Sequence, residues 1–326
     1  MRSLGLARSA VVHIGRQRGV ILLAFFIVLF LAAAGAIITV LDNNTVSQRR
    51  NDNTANAMRE AKEAVIAYAV LYSEYYSVAG SGPGYLPCPD TNGNGLENAP
   101  CGINSLGRLP TLITLPSGSN FPLSDYRSDV DEQFWYSVSD TFRRSALGIL
   151  NTTAISTTTL DAQNRIAAII IAPGPATGGQ ARPSNAVANY LEDSNTTAPS
   201  FVSSDPLSPA LFNDRVLPVT IDEIMTPITR KIADLVQVQL DAYHLASGTG
   251  YPLSQVEFDA MLLAAPLPAW FNANGWDNVG PLLINYTRVT NNEATLAFTG
   301  CANVSYQLFY SVADSPTNIR RVGSQC

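Results

Sequence analysis

The residues best suited to binding a metal ion lie at positions 90–95, directly after Pro89. Oxygen-bearing side chains alternate there with glycines that permit a sharp turn, as in the first half of a calcium loop. The twelfth position of such a loop carries a bidentate glutamate, but here it is Cys101, so Glu97 can serve only along a different loop path. An Asn-Gly turn with solvated polar side chains explains the same residues without a metal. The calcium hypothesis has four candidate ligands: Asp90, Asn92, Asn94 and Glu97.

The four cysteines form two local pairs along the chain. Cys88 and Cys101 flank the 90–95 segment, and Cys301 and Cys326 bracket the C-terminal tail. An even count in local pairs predicts disulfides in an oxidising compartment, and we expect the pairing 88–101 and 301–326 among the three possible connectivities. Four buried thiols are the alternative. No Cys-x-x-Cys or Cys/His spacing indicates a zinc site.

The side chains needed for hydrolytic catalysis do not form a recognisable pattern. A serine or cysteine nucleophile needs a histidine to take its proton, and after residue 19 the only histidine is His244, near the end of a predicted helix. The acidic segment 129–132 has no second carboxylate placed for glycosidase chemistry and is better explained as a solvated turn. The sequence contains no Gly-x-Ser-x-Gly elbow, P-loop or dinucleotide fingerprint. We therefore expect no enzymatic activity and, calcium apart, no cofactor.

Aromatic residues gather near the end of the second predicted helix. Tyr251, Trp270, Phe271 and Trp276 lie close to several asparagines, a combination found both in sugar- or protein-binding surfaces and in small α+β cores. We expect Trp270 to belong to the core and keep Trp276 as a candidate binding residue.

The charge balance argues against nucleic acid as a partner. The formal net charge is −6, and removing the four arginines before Gly19 leaves 16 basic against 26 acidic side chains, a net charge of −10. No cluster of lysines and arginines follows Arg50. An acidic body without a basic patch has no electrostatic attraction to phosphates.

The most informative segment is the apolar run at positions 20–41, which contains 22 residues without a charge. At 1.5 Å per residue this is about 33 Å of helix, enough to cross the hydrocarbon core of a bilayer. Arginines before it and Asp42 after it predict a cytoplasmic N-terminus and an exported body. Three interpretations are open: a signal peptide cut near 34–36, an uncleaved anchor, or a signal cut before the apolar run, which then stays on the mature protein.

The residues around Gly19 favour the third interpretation. The segment Arg16-Gln17-Arg18-Gly19, followed directly by Val20-Ile21-Leu22-Leu23, resembles the class III leader of type IV pilins and type II secretion pseudopilins. The resemblance implies cleavage by a prepilin peptidase after Gly19 and methylation of the new N-terminus at Val20. It continues into residues 42–79, where apolar and charged side chains occupy opposite helix faces, as in the second half of a pilin's first helix.

Two departures from the family pattern indicate a minor, tip-type subunit. The fifth residue after the cleavage site is Ala24, where major pilins carry a glutamate that pairs with a neighbouring subunit's N-terminal amine. A buried carboxylate is tolerated only when paired, and this subunit has none to offer. The chain is also much longer than an ordinary pilin.

The implied function is that of a minor pilin or pseudopilin, a structural or initiating subunit of a type IV pilus or type II secretion filament. The alternative is a membrane-anchored periplasmic binding protein or adhesin outside any filament. The implied partners are other pilins or pseudopilins, the inner-membrane assembly platform, the prepilin peptidase and the lipid bilayer. The implied location is the inner membrane, crossed once, with the C-terminal body in the periplasm or in a periplasmic or extracellular filament.

A helix followed by Gly-x-Gly-Tyr occurs twice in the exported part, ending at Tyr85 and at Tyr251. The repeat predicts an α+β fold in which the long transmembrane and amphipathic helix carries pilin-like heads with antiparallel sheet, two of them in tandem; coincidence of two helix ends is the alternative. The expected division is leader 1–19, transmembrane helix 20–41, amphipathic helix 42–79, first head 80–172, linker or extended loop 173–215 and second head 216–326. Within the heads we expect a buried strand over 165–172, a helix over 221–243 and a three-stranded meander over 282–310.

Overall fold

The protein is described by a computed structural model covering residues 17–76, 81–144, 148–204, 212–310, 319–323 and 326. In the first helix, side chains are described at positions 26, 27, 29 and 30 and from position 48 onward. The chain divides into two compact units, Met1–Asn53 and Thr54–Cys326.

Over the described residues the secondary structure consists of helices and short strands. The α-helices are α1 (Gln17–Tyr75), α2 (Ile221–Ser247), α3 (Gln255–Ala264) and α4 (Ala269–Ala273). The strands in the first part of the chain are β1 (Leu106–Arg108), β2 (Leu112–Thr114), β3 (Asn120–Pro122), β4 (Trp135–Val138), β5 (Thr158–Leu160), β6 (Gln163–Ala172), β7 (Ser200–Phe201) and β8 (Arg215–Thr220). The strands in the last part are β9 (Ile284–Thr290), β10 (Glu293–Phe298), β11 (Cys301–Phe309) and β12 (Ile319–Gly323).

The larger sheet is built around β6. Its strand order is β1-β4-β6-β5-β7, with β8 also paired to β6. The run from Ile166 to Ala172 is buried on both faces, which explains why it is continuously apolar instead of alternating. The strand predicted over 165–172 is therefore confirmed. Strands β2 and β3 form a separate two-stranded sheet.

The second sheet has the antiparallel order β12-β11-β10-β9. Strands β9, β10 and β11 confirm the three-stranded meander predicted over 282–310, and β12 adds a fourth strand beside β11. Buried and partly exposed residues alternate along β10, as expected for a strand with one face in the core. The buried residues are Ala294, Leu296 and Phe298.

Helix α2 begins with a capping box. The Glu223 amide donates to the Thr220 hydroxyl (3.2 Å), and the Thr220 amide donates to the Glu223 carboxylate (2.9 Å). The helix ends at Ser247 and is capped by Gly248, whose φ of +65° favours glycine. Between these ends, the apolar face of α2 packs against strands of both sheets, including β6, β8 and β11. Both sheets consequently share this helix.

The expected tandem heads are wrong. Tyr68 of α1, Ile170 of β6 and Leu296 of β10 belong to one buried cluster, and Thr54–Cys326 is one compact unit. The reason is α2, which covers both sheets with one apolar face and so joins the two expected heads in one core.

The segment 173–215, expected as a linker or extended loop, is partly built into the fold. Tyr190, Leu191 and Phe201 are each at most 2% exposed and pack with Ile169 and Ile171 on the other face of β6. Its Pro-, Gly- and Ser-rich composition therefore reflects irregular backbone and not an independent linker.

The expected transmembrane helix is also contradicted. Over the part of the chain that the structure describes, no helix combines the length and the apolar composition needed to cross a membrane. Helix α1 has 59 residues, but its stretch with described side chains from position 48 onward contains the charged Arg49, Arg50 and Asp52 and does not supply such a span. Residues 1–16 of the expected leader lie outside the described residues, and at the expected cleavage site, Gly19 and Val20, only the backbone is described.

Candidate functional site

The four candidate calcium ligands lie in the segment after α1, where a turn brings the chain back against the helix. The Gly84 amide donates to the Ala69 carbonyl oxygen (2.7 Å), and the φ of Gly84 is +118°. This conformation favours glycine. The next residue, Tyr85, is 1% exposed, and its ring lies 5.1 Å from that of Tyr72. The turn thereby fixes the path of the chain into Cys88.

Both expected disulfides are present. Cys88 pairs with Cys101 (Cα–Cα 5.5 Å), and Cys301 pairs with Cys326 (Cα–Cα 4.3 Å). The first bond closes a loop over residues 88–101, and all four cysteines are buried. Local spacing was sufficient to find the pairing because each bond joins the nearest cysteine along the chain.

Asp90 organises the loop through its carboxylate. The residue is 1% exposed; its Oδ1 accepts from the amides of Asn92 (3.1 Å) and Gly93 (2.7 Å), and its Oδ2 accepts from the Gly95 amide (2.7 Å). The side-chain oxygens of Asn92 and Asn94 also accept backbone amides, at 3.1 and 2.9 Å. These hydrogen bonds form successive Asx turns along the loop.

Glu97, the expected fourth calcium ligand, pairs instead with Arg144. Its side chain is 4% exposed and forms an ion pair with the guanidinium of Arg144, while Oε2 accepts from the Cys88 amide (3.3 Å). Burial raises the pKa of Glu97 above its ordinary value, and the charge of Arg144 opposes that rise. The described part of the chain contains no group of three or more histidine, cysteine or acidic side chains placed to hold a metal. The calcium hypothesis thus rests on Asp90, Asn92 and Asn94 and stays a prediction.

Arg144 also connects the loop to a cluster of tyrosines at the end of α1. Its guanidinium donates to the Tyr76 hydroxyl (2.7 Å) and lies 4.9 Å from the centre of the same ring. The Tyr68 and Tyr76 hydroxyls are 3.3 Å apart, and the rings of Tyr72 and Tyr76 stack at 4.3 Å. Burial raises the pKa of all three tyrosines, so they stay neutral and serve as hydrogen-bonding packing groups.

The remaining candidates occupy structural positions. Trp276 is fully buried and packs edge-on to Phe298 at 6.0 Å, so its ring is not available to a ligand at the surface. Trp270 is half-buried, with the Lys231 ammonium 5.5 Å from its ring centre. The His244 ring stacks on Tyr310 at 3.7 Å.

A carboxyl pair that the sequence analysis missed lies in the segment expected to be a linker. Asp214 is 5% exposed, and its Oδ2 accepts from the Glu192 amide (3.1 Å) and from Asn195 Nδ2 (3.0 Å). In return, Oε2 of Glu192 accepts from the Asn213 amide (3.3 Å).

Burial raises the pKa of Asp214 to about 8, and the adjacent Glu192 carboxylate adds to that rise. The pair therefore retains a proton under conditions in which an exposed aspartate is charged. The two residues are 22 positions apart and no motif links them, so their contact could not be found from the sequence.

Comparison with known proteins identifies no relative: no family model, no curated protein and no solved structure matches the chain. The resemblance of the leader to the pilin class stays a prediction from the residues around Gly19.

Proposed function

We propose that the chain is a minor pilin or pseudopilin, a structural or initiating subunit of a type IV pilus or type II secretion filament. The observation that carries the proposal is the position of residues 54–75 of α1 in the body. Met58, Ala61, Val65 and Tyr68 are each at most 4% exposed, in one core with an antiparallel sheet. A first helix whose second half is built into an antiparallel-sheet head is what the pilin resemblance implies.

The proposed assembly element is the apolar part of the same helix. Ile27, Leu29 and Phe30 are 52%, 54% and 74% exposed. Clustered exposed apolar side chains mark surfaces that are covered by a partner. In the proposed filament that partner is the first helix of adjacent pilins or pseudopilins.

Export is supported by the covalent chemistry of the body. Disulfides persist in oxidising compartments such as the periplasm, and this body carries two. We therefore place the folded body on the periplasmic side of the inner membrane or in a filament. The prepilin peptidase and the inner-membrane assembly platform are the other proposed partners.

A low-copy position is supported by Ala24. A subunit lacking a carboxylate there cannot neutralise the N-terminal amine of a subunit beside it in an apolar filament core. This favours an initiating or tip-proximal position over the repeated shaft. The binding-protein alternative loses its candidate residue, because Trp276 is fully buried.

The proposal is tested by shearing filaments from cells that produce the protein and quantifying the chain in the filament fraction by mass spectrometry. We expect the wild type to be present at a small fraction of the main subunit. Phe30→Glu should be depleted from filaments. The matched control Ile155→Glu, at a position that is 77% exposed on the body, should be retained.

Two results would contradict the proposal. One is a wild-type chain that is absent from filaments and accumulates free in the periplasm. The other is equal retention of both variants, which would mean that the exposed part of α1 has no role in assembly.

A further inference from the structure

Two carboxyl groups meet just before β8, away from the loop at 90–95. Asp214 directly precedes β8 and is 5% exposed, and its carboxyl group is in hydrogen-bonding contact with that of Glu192. Glu192 is only half-buried, so part of its side chain is open to solvent. We call these two residues the carboxyl pair.

Amide donors orient both carboxylates and leave one buried oxygen without a partner. Asp214 Oδ2 accepts the Glu192 amide (3.1 Å) and Asn195 Nδ2 (3.0 Å). Glu192 Oε1 accepts Gln180 Nε2 (2.9 Å), and its Oε2 accepts the Asn213 amide (3.3 Å). Asp214 Oδ1 is buried and accepts no hydrogen bond from the described residues. Carboxylates that bind metals are oriented by outer hydrogen bonds of this kind.

No basic side chain neutralises the carboxyl pair. Among the described residues, neither carboxylate forms an ion pair with a lysine, arginine or histidine. Arg182 reaches the pair only through Gln180, whose Oε1 accepts from the guanidinium (2.7 Å). In the metal-free protein the pair keeps a proton, because burial raises the pKa of Asp214 to about 8. A divalent cation neutralises both carboxylates, whereas one proton neutralises a single charge.

Calcium is the cation that fits these ligands best. Carboxylate oxygens are hard ligands, which favour calcium or magnesium over softer transition metals. Magnesium keeps several waters in a strict octahedron, whereas calcium accepts carboxylates in irregular geometry. The burial of Asp214 leaves little space for a shell of waters. A calcium ion needs no water-sized cavity, because it contacts its oxygen ligands at about 2.3–2.6 Å.

We infer that the carboxyl pair binds a calcium ion, with Asp214 Oδ1 and the Glu192 carboxylate as its charged ligands. The ion links Glu192 to the start of β8 and so fastens the segment 173–215 to the larger sheet. Two carboxylates are few for a calcium site, so we expect a dissociation constant of about 0.1–1 mM. The inference does not rest on the proposed function, since it concerns the body and not α1.

The site is tested by thermal unfolding of the full-length protein at pH 8, with a chelator and then with about 10 mM calcium. At 10 to 100 times the dissociation constant, calcium should raise the unfolding temperature of the wild type by about 3–8 °C. Asp214→Asn and Glu192→Gln should each remove most of this rise, and both keep the size of the side chain. Two separate variants make the test independent of how well either one folds, which far-UV circular dichroism checks.

Two control variants keep their acidic pair. Asp131→Asn changes a side chain that is 89% exposed and should leave the calcium response as in the wild type. Asp90→Asn should keep the part of the response that Asp214→Asn removes, which separates the carboxyl pair from the loop at 90–95.

Equal calcium responses of the wild type, Asp214→Asn and Glu192→Gln, including no response in any of them, would overturn the inference. A response that Asp90→Asn alone removes would assign the ion to the loop and overturn it as well. An equal rise with magnesium would overturn the choice of calcium. None of these outcomes depends on the filament experiment.

Discussion

Replacing Asp214 with asparagine isolates the effect of the buried carboxyl pair on stability. The folded-state pKa of Asp214 is raised to about 8 from an ordinary value of 3.8, mainly by burial. The folded protein therefore holds a proton that the unfolded chain releases at lower pH. The stability from this proton is fully present below about pH 4 and is lost progressively as the pH rises towards 8.

The size of the effect follows from the shift. Each unit of pKa difference corresponds to about 1.4 kcal/mol, so a shift of about four units sets a ceiling of about 6 kcal/mol. The surrounding loop can relax when Asp214 becomes charged, which lowers the cost below this ceiling. We therefore expect the wild type to lose about 2–4 kcal/mol of unfolding free energy between pH 5 and pH 8 through this pair.

Asp214→Asn should abolish that loss. The asparagine oxygen can still accept the Glu192 amide and Asn195 Nδ2, and its amide can donate to the Glu192 carboxylate in place of the shared proton. The variant should match the wild type at pH 5 and exceed it at pH 8. Urea unfolding of the full-length protein, followed by circular dichroism, measures both differences.

Asp131→Asn is the matched control, because the Asp131 side chain is 89% exposed. It should show the same pH dependence as the wild type. An Asp214→Asn variant with the wild-type pH dependence, or one less stable than the wild type at pH 8, would refute the role assigned to the pair.

Three further predictions concern the loop after α1. Arg144→Met should cost about 3 kcal/mol of unfolding free energy at pH 7, because it leaves the buried Glu97 carboxylate unpaired. The cost should be smaller at pH 4, where Glu97 becomes protonated because burial raises its pKa. Equal costs at both pH values in urea unfolding would contradict this role of the ion pair. Replacing both Cys88 and Cys101 by alanine should lower the free energy of unfolding by about 3 kcal/mol, since the disulfide joins residues 13 positions apart and restricts the unfolded chain. An unchanged midpoint in urea unfolding would refute its structural role. The calcium hypothesis at Asp90 is tested by thermal unfolding with millimolar calcium: a site there should raise the unfolding temperature of the wild type but not of Asp90→Asn. An unchanged temperature in both proteins would mean that the Asx turns alone hold the loop.

The elements predicted best are those whose evidence is local. Helix α2 has its capping box, its apolar face and a terminal glycine within one stretch, and it ends only four residues after the predicted end at 243. Strand β6 is a continuous apolar run, as burial on both faces requires. Strand β12 was missed, because Arg320 and Arg321 stand in an exposed edge strand without apolar alternation.

The repeated helix and Gly-x-Gly-Tyr pattern has a local counterpart in the structure. Gly84 and Gly250 both have positive φ, and Tyr85 and Tyr251 are each 1% exposed. The inference of two heads was wrong because it concerned tertiary packing, which the two turns do not determine. Whether two similar turns belong to two cores or to one depends on what α2 packs against, and periodicity does not report that.

In the candidate site, too, the features with local evidence were predicted and the contacts between distant residues were not. Disulfide pairing followed from spacing, and Asp90 and the two asparagines do lie in one loop. The ion pair of Glu97 with Arg144 joins residues 47 positions apart, and the contact of Glu192 with Asp214 spans 22. Such contacts depend on how the chain folds back, which no residue pattern near either partner specifies.

The most direct test of the central claim is mass spectrometry of the mature N-terminus in protein isolated from producing cells. If α1 is kept as the assembly element, the chain begins at Val20 and carries an N-methyl group, and Gly19→Leu blocks that processing. A wild-type chain that begins at Met1, or near Ile37 after removal of the apolar segment, would contradict the account.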